Sequence, residues 1–339
     1  MSHNKSSMKK ILVTGGLGFI GSYFVKLLLD RGYFVINIDK MTYAIRKDLD
    51  FEKNKNYQFI KADIADITDL PPDIDQIVNF AAESHVDNSI KDSMAFFRSN
   101  VEGVYNMLEL IRKTDKDKRP VFVHISTDEV YGDILEGAFR ETDKLSPSNP
   151  YSSTKAAADQ LVSGWSRTYG IRARICRSSN NYGYGQYAEK LIPKTMKLAT
   201  KGLKVGVQGN GMYKREWTWV EDNCNAILLV MEKGEDGEIY NISAGEELTN
   251  IEVVKKILKV MGQSEDFFEF IKDRPGQDIR YSIDTEKIKK LGWAPNMTLE
   301  KYLPICKELN EIRRKNLPPG IKDKIRTYLG LRKNSLKSN

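Results

Sequence analysis

Lys10-Ile11-Leu12-Val13-Thr14-Gly15-Gly16-Leu17-Gly18-Phe19-Ile20-Gly21 decides how the rest of the chain is read. A short apolar run ends in a cluster of glycines, and the residues that follow continue at helical spacing. The stretch satisfies GxGxxG from Gly16 and GxxGxxG from Gly15. Glycines let such a turn close tightly, admit a pyrophosphate to the backbone and seat the helix close to the sheet, while the helix amino end faces the anion. The spacing predicts a dinucleotide-binding strand-turn-helix.

Working outward, Ile20, Phe24, Leu27 and Leu28 recur at helical spacing, Gly32 supplies the stop, and 34–38 reads as the next strand. Further strands are predicted over 76–81, 121–126 and 172–177, with helices over 93–112 and 151–169. This alternation is that of an α/β protein with a Rossmann-like, doubly wound parallel sheet, covering 1–180. After about Asn180 the regularity breaks, with loop-like 180–186 and 202–213. The expected organisation is a smaller, interleaved C-terminal substrate-binding lobe of 181–214 and 246–309, with 215–245 returning to the sheet and 310–339 forming a basic tail.

Composition narrows the class. The chain has 339 residues, of which 40% are hydrophobic and 29% charged, enough for a large core and unlike a disordered or collagenous chain. No apolar run approaches the roughly 20 residues that span a bilayer, and the first ten residues do not resemble a signal peptide. Three cysteines form no CxxC pair, and His3, His85 and His124 are scattered, so no metal site is expected. The net charge of +7 sits in the tail, where nine Lys or Arg face two acidic residues from Asn310 onward. The neutral body argues against nucleic acid as a partner, and the tail reads as a solvated segment. A cytoplasmic protein without membrane insertion is expected.

Two further features carry chemistry. Asp39 ends the second strand, 18 residues beyond Gly21, where a carboxylate accepts ribose hydroxyls and repels a 2′-phosphate. NAD is favoured over NADP, although Lys40 beside it works the other way. Asp63, after Phe59-Ile60, is read as an adenine contact. Tyr151 and Lys155 stand four apart on a predicted helix and share a face. A phenol of ordinary pKa about 10 is a poor base, but an adjacent ammonium favours its ionised form, and such a pair can take the proton from a sugar hydroxyl.

Gly15-x-x-Gly18-x-x-Gly21 with Tyr151-x-x-x-Lys155 resembles the extended short-chain dehydrogenase/reductase superfamily. Ser126-Thr127-Asp128-Glu129-Val130-Tyr131-Gly132 narrows the resemblance to nucleotide-sugar 4,6-dehydratases. Further matches are Asp39-Lys40-Met41-Thr42-Tyr43, Ala81-Ala82-Glu83-Ser84-His85-Val86-Asp87, Ser179-Asn180-Asn181-Tyr182-Gly183, Glu189-Lys190-Leu191-Ile192-Pro193, Val220-Glu221-Asp222 and Asp273-Arg274-Pro275-Gly276. They run in order over residues 8 to 305.

The resemblance implies a lyase that oxidises C4 of the sugar, eliminates water across C5 and C6, and reduces C6 with internally recycled NAD, in deoxysugar biosynthesis for surface polysaccharide. Elimination needs a base at C5 and an acid at the C6 hydroxyl. By resemblance Glu129 is that base and Asp128 that acid, Thr127 holds the 4-oxygen, and Tyr151 with Lys155 serves C4. NAD contacts are implied for Gly15, Gly18, Phe19, Ile20 and Gly21 in the turn, and for Asp39, Lys40 and Thr42 after the second strand. Asp63 with Ile64, and Ala81 with Ala82, complete that set beside Tyr151 and Lys155. Substrate contacts are implied for Ser84, His85, Asn180, Lys190, Leu191, Gln208, Arg215 and Arg274. Arg280 is either another such contact or a surface salt-bridge partner.

Departures from the family pattern leave the base open. Gln208 stands where a ring often lines the nucleobase pocket, Glu216 replaces a commoner aspartate, and Ile45-Arg46 stands where glycine is usual. Thymine, uracil or guanine, and glucose or N-acetylglucosamine, remain alternatives. A C4 epimerase or decarboxylase, which needs no adjacent acid pair, and a non-catalytic nucleotide-sugar-binding protein are the competing readings. The family further implies a homodimer, through an intersubunit bundle of the helices at 93–112 and 151–169.

Overall fold

The computed structural model describes residues 8–314, so His3 and most of the expected basic tail lie outside the described residues. Strand β1 (Lys10–Thr14) is buried on both faces. Ile11 and Val13 pack against Phe24, Val25 and Leu28 of helix α1 (Phe19–Asp30), whereas Leu12 joins the opposite layer. This alternation is what a parallel strand covered on both sides requires. The chain continues through β2 (Phe34–Asp39), β3 (Tyr57–Lys61), β4 (Gln76–Asn79), α2 (Val86–Lys91), α3 (Ser93–Phe97) and α4 (Gly103–Lys113). It then forms β5 (Val121–Thr127), α5 (Pro150–Tyr169) and β6 (Ala173–Ser178).

Helix α5 shows how local sequence sets an element. Pro150 occupies its first turn, Asn149 and Ser152 form a reciprocal capping box, and Gly170 ends it in the left-handed region at φ 65°. Its inner face then lands on β5 and β6, which places Tyr151 and Lys155 at the crevice.

The second half adds β7 (Asn180–Tyr182), α6 (Leu191–Thr200), β8 (Val205–Gln208), β9 (Lys214–Trp219), α7 (Val220–Lys233) and β10 (Ile239–Ile242). After these come β11 (Glu246–Thr249), α8 (Asn250–Val260), β12 (Phe268–Ile271), α9 (Glu286–Lys290) and α10 (Leu299–Arg314). A seven-stranded parallel sheet has the order β10-β6-β5-β4-β1-β2-β3. Strand order reverses between β1 and β4, and ligands bind in open α/β sheets at the carboxyl ends beside such a reversal. A three-stranded sheet, β11-β9-β7, and a β12-β8 pair form the smaller layer.

Four expectations are corrected. The helix over 93–112 is interrupted by a π turn at Arg98–Glu102. The wider turn carries buried Asn100, whose Oδ1 accepts from Glu83 N at 2.9 Å and whose Nδ2 donates to Glu83 O and Thr154 Oγ1. The strand over 76–81 stops at Asn79, because Phe80 and Ala81 turn into the crevice. The loop-like 180–186 and 202–213 contain β7 and β8, strands of three and four residues, too short to show a period. Residues 215–219, expected to return to the large sheet, pair instead with β7 and β11, and the chain rejoins the larger layer at α7.

Beneath the site lies a buried ion pair, Arg177 Nε to Asp159 Oδ2 at 2.8 Å, with Arg177 Nη1 also donating to the Tyr131 hydroxyl. Removing one partner strands the other charge in a dry interior. Asp159→Asn is expected to cost about 3–5 kcal/mol in chemical denaturation.

Candidate active site

A cavity of about 470 Å³ opens at the carboxyl ends of β1, β2, β4 and β5 and is walled on its far side by the smaller layer. The glycine turn forms its floor. Gly15 takes φ 70°, and a Cβ there would stand 2.7 Å from Ala81 N, so no other residue fits without moving β4's end. A Cβ on Gly21 would meet Gly15 O at 2.3 Å, which holds α1 against the turn. One on Gly18 would meet only Gly15 O at 3.2 Å and otherwise space. Gly18 caps α1 without a side-chain bond, and no acidic residue lies in the first turn, so the helix amino end is free to receive an anion.

Asp39 closes β2 with Oδ2 accepting from Leu17 N at 3.0 Å and Oδ1 from Met41 N at 2.7 Å. Each carboxylate oxygen accepts more than once, so capacity for a diol remains. The charge of Lys40 is drawn elsewhere: its Nζ donates to Ser99 Oγ at 2.6 Å and lies 3.6 Å from Asp63 Oδ2. Phe19, Ile20, Thr42, Ile64, Ala81 and Ala82 line the same cavity. Open helix end, glycine floor and ribose-facing carboxylate fit the dinucleotide that the turn predicts.

Tyr151 and Lys155 both line the cavity and are buried, 9% and 3% exposed. Lys155 Nζ donates to Ile125 O at 2.6 Å and lies 3.4 Å from His124 Nε2, and burial pushes its pKa down to about 8. The Tyr151 phenol is pushed up, not down, first by burial and then by the Glu129 carboxylate, with a Thr127 hydrogen bond acting the other way. The expectation that Lys155 favours the phenolate is therefore not met by the side chains alone. Burial outweighs it.

Thr127 ends β5 and caps the single 3₁₀ turn Asp128–Tyr131, accepting from Glu129 N at 3.3 Å. The two acids that follow occupy unlike surroundings. Asp128 is 2% exposed, is not part of the cavity wall, and takes one bond, from Thr127 Oγ1 at 3.1 Å, leaving Oδ2 unpartnered. Burial raises it well above the usual carboxylate range, helped by Glu129 and Glu216. Glu129 lines the cavity; burial raises it too, but Arg215, Arg274 and Lys190 pull it back. One carboxyl is biased toward its acid form, and its neighbour is offered a cationic field.

Lys190, Arg215 and Arg274 converge from three segments. Lys190 Nζ donates to Ser84 O, Arg215 to Asp278 O while lying 4.2 Å over the Tyr281 ring, and Arg274 Nη1 to Asp87 Oδ1. Arg274 Nε is buried without a partner. Ser84, His85, Asn180, Leu191 and Gln208 line the same space, and burial lowers His85 to about 4. Arg280 is corrected: its Nε donates to Glu247 Oε2 at 2.6 Å and its Nη1 to the carbonyls of Ile134 and Gly137, outside the cavity. Glu83, Asn250, Gln277 and Tyr281 also line it and were not anticipated. Glu83 lay within a quoted motif, whereas the other three carry no sequence signal.

Comparison with known proteins places this geometry. Residues 12–305 match the family model described as GDP-mannose 4,6 dehydratase. The low-salt glycan biosynthesis protein Agl12 of Haloferax volcanii is 47% identical over 302 residues, covering 87% of this chain and 96% of that protein. A dTDP-glucose 4,6-dehydratase of Haemophilus influenzae is 44% identical over 324 residues, with the same two coverages. Among solved structures, a double mutant of DesIV, a dTDP-glucose 4,6-dehydratase from Streptomyces venezuelae with NAD bound, superposes with a TM-score of 0.84. It shares 36% identity and covers 90% of this chain and 98% of its own.

Lys155 supplies a pH test independent of any ligand. Its pKa is about 8 folded against an ordinary 10.5, so between those values the unfolded chain binds more protons and stability rises with pH. Buried Cys176, Cys224 and Cys306, whose thiols burial pushes up, lower stability over the same range, so the test is the difference between chains. From pH 8 to pH 10.5 the native chain is expected to gain stability relative to Lys155→Met in chemical denaturation.

Proposed function

The chain belongs to the GDP-mannose 4,6-dehydratase family and is an NAD-dependent nucleotide-sugar 4,6-dehydratase, and we propose that it acts on dTDP-glucose, with Thr127, Asp128, Glu129, Tyr151 and Lys155 as its catalytic residues. The relatives so named support that substrate. The observation that carries the assignment of roles is the split between Asp128, whose carboxyl burial and two neighbouring carboxylates push well above its usual range, and Glu129, which lines the cavity and faces three cations.

The Gly15–Gly21 turn would hold the pyrophosphate of NAD and Asp39 its adenosine ribose, with Tyr151 and Lys155 lining the rest of the cleft. When bound, NAD supplies a hydride acceptor that is regenerated within the turnover and an oxidised ring of positive charge. Lys190, Arg215 and Arg274 pair with the substrate diphosphate, and cationic forks suit phosphate oxygens. Tyr151 takes the proton of the C4 hydroxyl while Thr127 holds the 4-oxygen. A C4 ketone acidifies C5, and Glu129 removes that proton. Asp128, bonded to the Thr127 hydroxyl that lines the cavity, gives through it the proton with which the C6 hydroxyl leaves as water, and Glu129 returns its proton to C5 as C6 takes the hydride that the reduced cofactor would supply.

A homodimer is the proposed assembly. Met94, Phe97 and Tyr105 of α3 and α4, and Tyr169 of α5, are exposed apolar or aromatic side chains on the helices expected to bundle between subunits. The proposed location is the cytoplasm, which suits three buried free cysteines. The proposed division keeps the dinucleotide half as 8–180 with α7 and β10, and assigns β9 to the sugar-nucleotide lobe.

Proton NMR of the protein incubated with dTDP-glucose, UDP-glucose, UDP-N-acetylglucosamine or GDP-N-acetylglucosamine tests substrate and reaction together. A C6 methyl signal is expected from dTDP-glucose, and a product with an intact C6 hydroxyl would point to an epimerase. Tyr151→Phe is expected to abolish C4 oxidation. Glu129→Gln is expected to spare oxidation and block elimination, so that the absorbance of reduced nicotinamide accumulates; equal loss of both steps would remove Glu129 from its role.

A further inference from the structure

The loop after β2 contributes Thr42, Ala44 and Ile45 to the cavity wall, and the loop after β7, from the other layer, contributes Gln186, Tyr187 and Lys190. Arg46 sits where the two loops meet. Its backbone N–H donates to Leu17 O at 2.8 Å, inside the glycine turn. Its side chain is only 8% exposed. Nε and Nη2 reach Asp48 at 3.1 and 2.9 Å, and Nη1 reaches Ser22 Oγ on α1 at 3.2 Å. The guanidinium lies 5.1 Å from the centre of the Tyr23 ring and 6.0 Å from that of Tyr184, distances at which a cation is drawn to an aromatic face.

The facing loop is shaped to receive it. Gly185 has φ 86°, and a Cβ there would stand 2.6 Å from Arg46 Nε, so the guanidinium lies against bare backbone. Around this contact the Tyr43 and Tyr187 rings meet edge-on at 5.2 Å, and the Tyr23 hydroxyl donates to Tyr184 O at 2.9 Å. The loop that lines the adenosine end of the cleft is thus joined at one buried arginine to α1, to the glycine turn and to the opposite wall.

We propose that Arg46 is a positioning residue that latches the two loops over the bound cofactor and retains it through the whole catalytic cycle. The proposal rests on the NAD-dependent reading above: the cofactor serves twice in one turnover, and its loss in between strands an oxidised sugar. Removing the guanidinium leaves the loops joined by the tyrosine contacts alone, and opening of such loops governs release.

The full chain is compared with Arg46→Ala, Arg46→Lys and Gly185→Ala. NADH dissociation is read by fluorescence after mixing with excess NAD, and NAD content is measured in each protein as purified. Arg46→Ala is expected to release NADH at least about tenfold faster and to carry less NAD. Gly185→Ala, whose methyl displaces the guanidinium, is expected to behave similarly, and Arg46→Lys to fall between. Thermal melts identify any variant that fails to fold, in which case the remaining two decide. Release within about twofold of the native chain in every folded variant overturns the latch. A native chain that forms no 6-deoxy sugar would instead overturn the reaction assignment, while its release rates still judge Arg46.

Discussion

Two carboxylates on consecutive residues do not ionise as equals inside a wall, and the way Asp128 and Glu129 are separated governs the arrangement around them. Strand β5 ends at Thr127, and one tight turn sends the next two side chains in different directions. Asp128 goes back into the protein, beside Glu216 and the Thr127 hydroxyl, where burial and like charge hold its proton. Glu129 goes toward the cavity and three cations. Pairs of carboxyls pushed apart in this way are how one site offers both an acid and a base at the same pH. Because Arg215 lies on β9 and Lys190 and Arg274 on loops of the smaller layer, the split exists only when both layers are assembled.

Lys155 depends on the large sheet in a comparable way. Ala81 N donates to Thr14 Oγ1, and the Thr14 hydroxyl donates to Asn79 Oδ1 at 2.6 Å. That turns Asn79 Nδ2 toward His124 Nδ1, making Nδ1 the acceptor and leaving Nε2 to face Lys155 and Asp159. Burial keeps His124 well below its usual range. The amine of Lys155 is thereby seated between a neutral ring and the Ile125 carbonyl. The Tyr151 phenol is held up by its own burial and by Glu129, so a bound oxidised cofactor would add positive field that favours its ionised form.

Much of this was legible in the residues. The glycine turn, Asp39, the acid pair and the Tyr151-Lys155 spacing are local patterns whose chemistry depends on neighbours within a few positions, and each lies at the cleft or directly behind it. Short strands were not legible: Asn180–Tyr182 and Val205–Gln208 have too few residues for a period, and their pairing partners are far along the chain. The π turn at Arg98–Glu102 was hidden too, because its reason is Asn100 meeting Glu83 and Thr154 across three elements.

The sequence by itself determined the dinucleotide floor, the order of the parallel units and the residue types that remove and return protons, because those follow from spacing along one strand or one helix. Only the tertiary structure decided their states. Whether Asp128 keeps its proton, whether Arg280 reaches substrate or is spent on Glu247, and whether Arg46 meets Gly185 are settled by burial and by charges from distant segments. Electrostatic energies depend on distance in space and on exclusion of water, and neither quantity is written in the order of the residues.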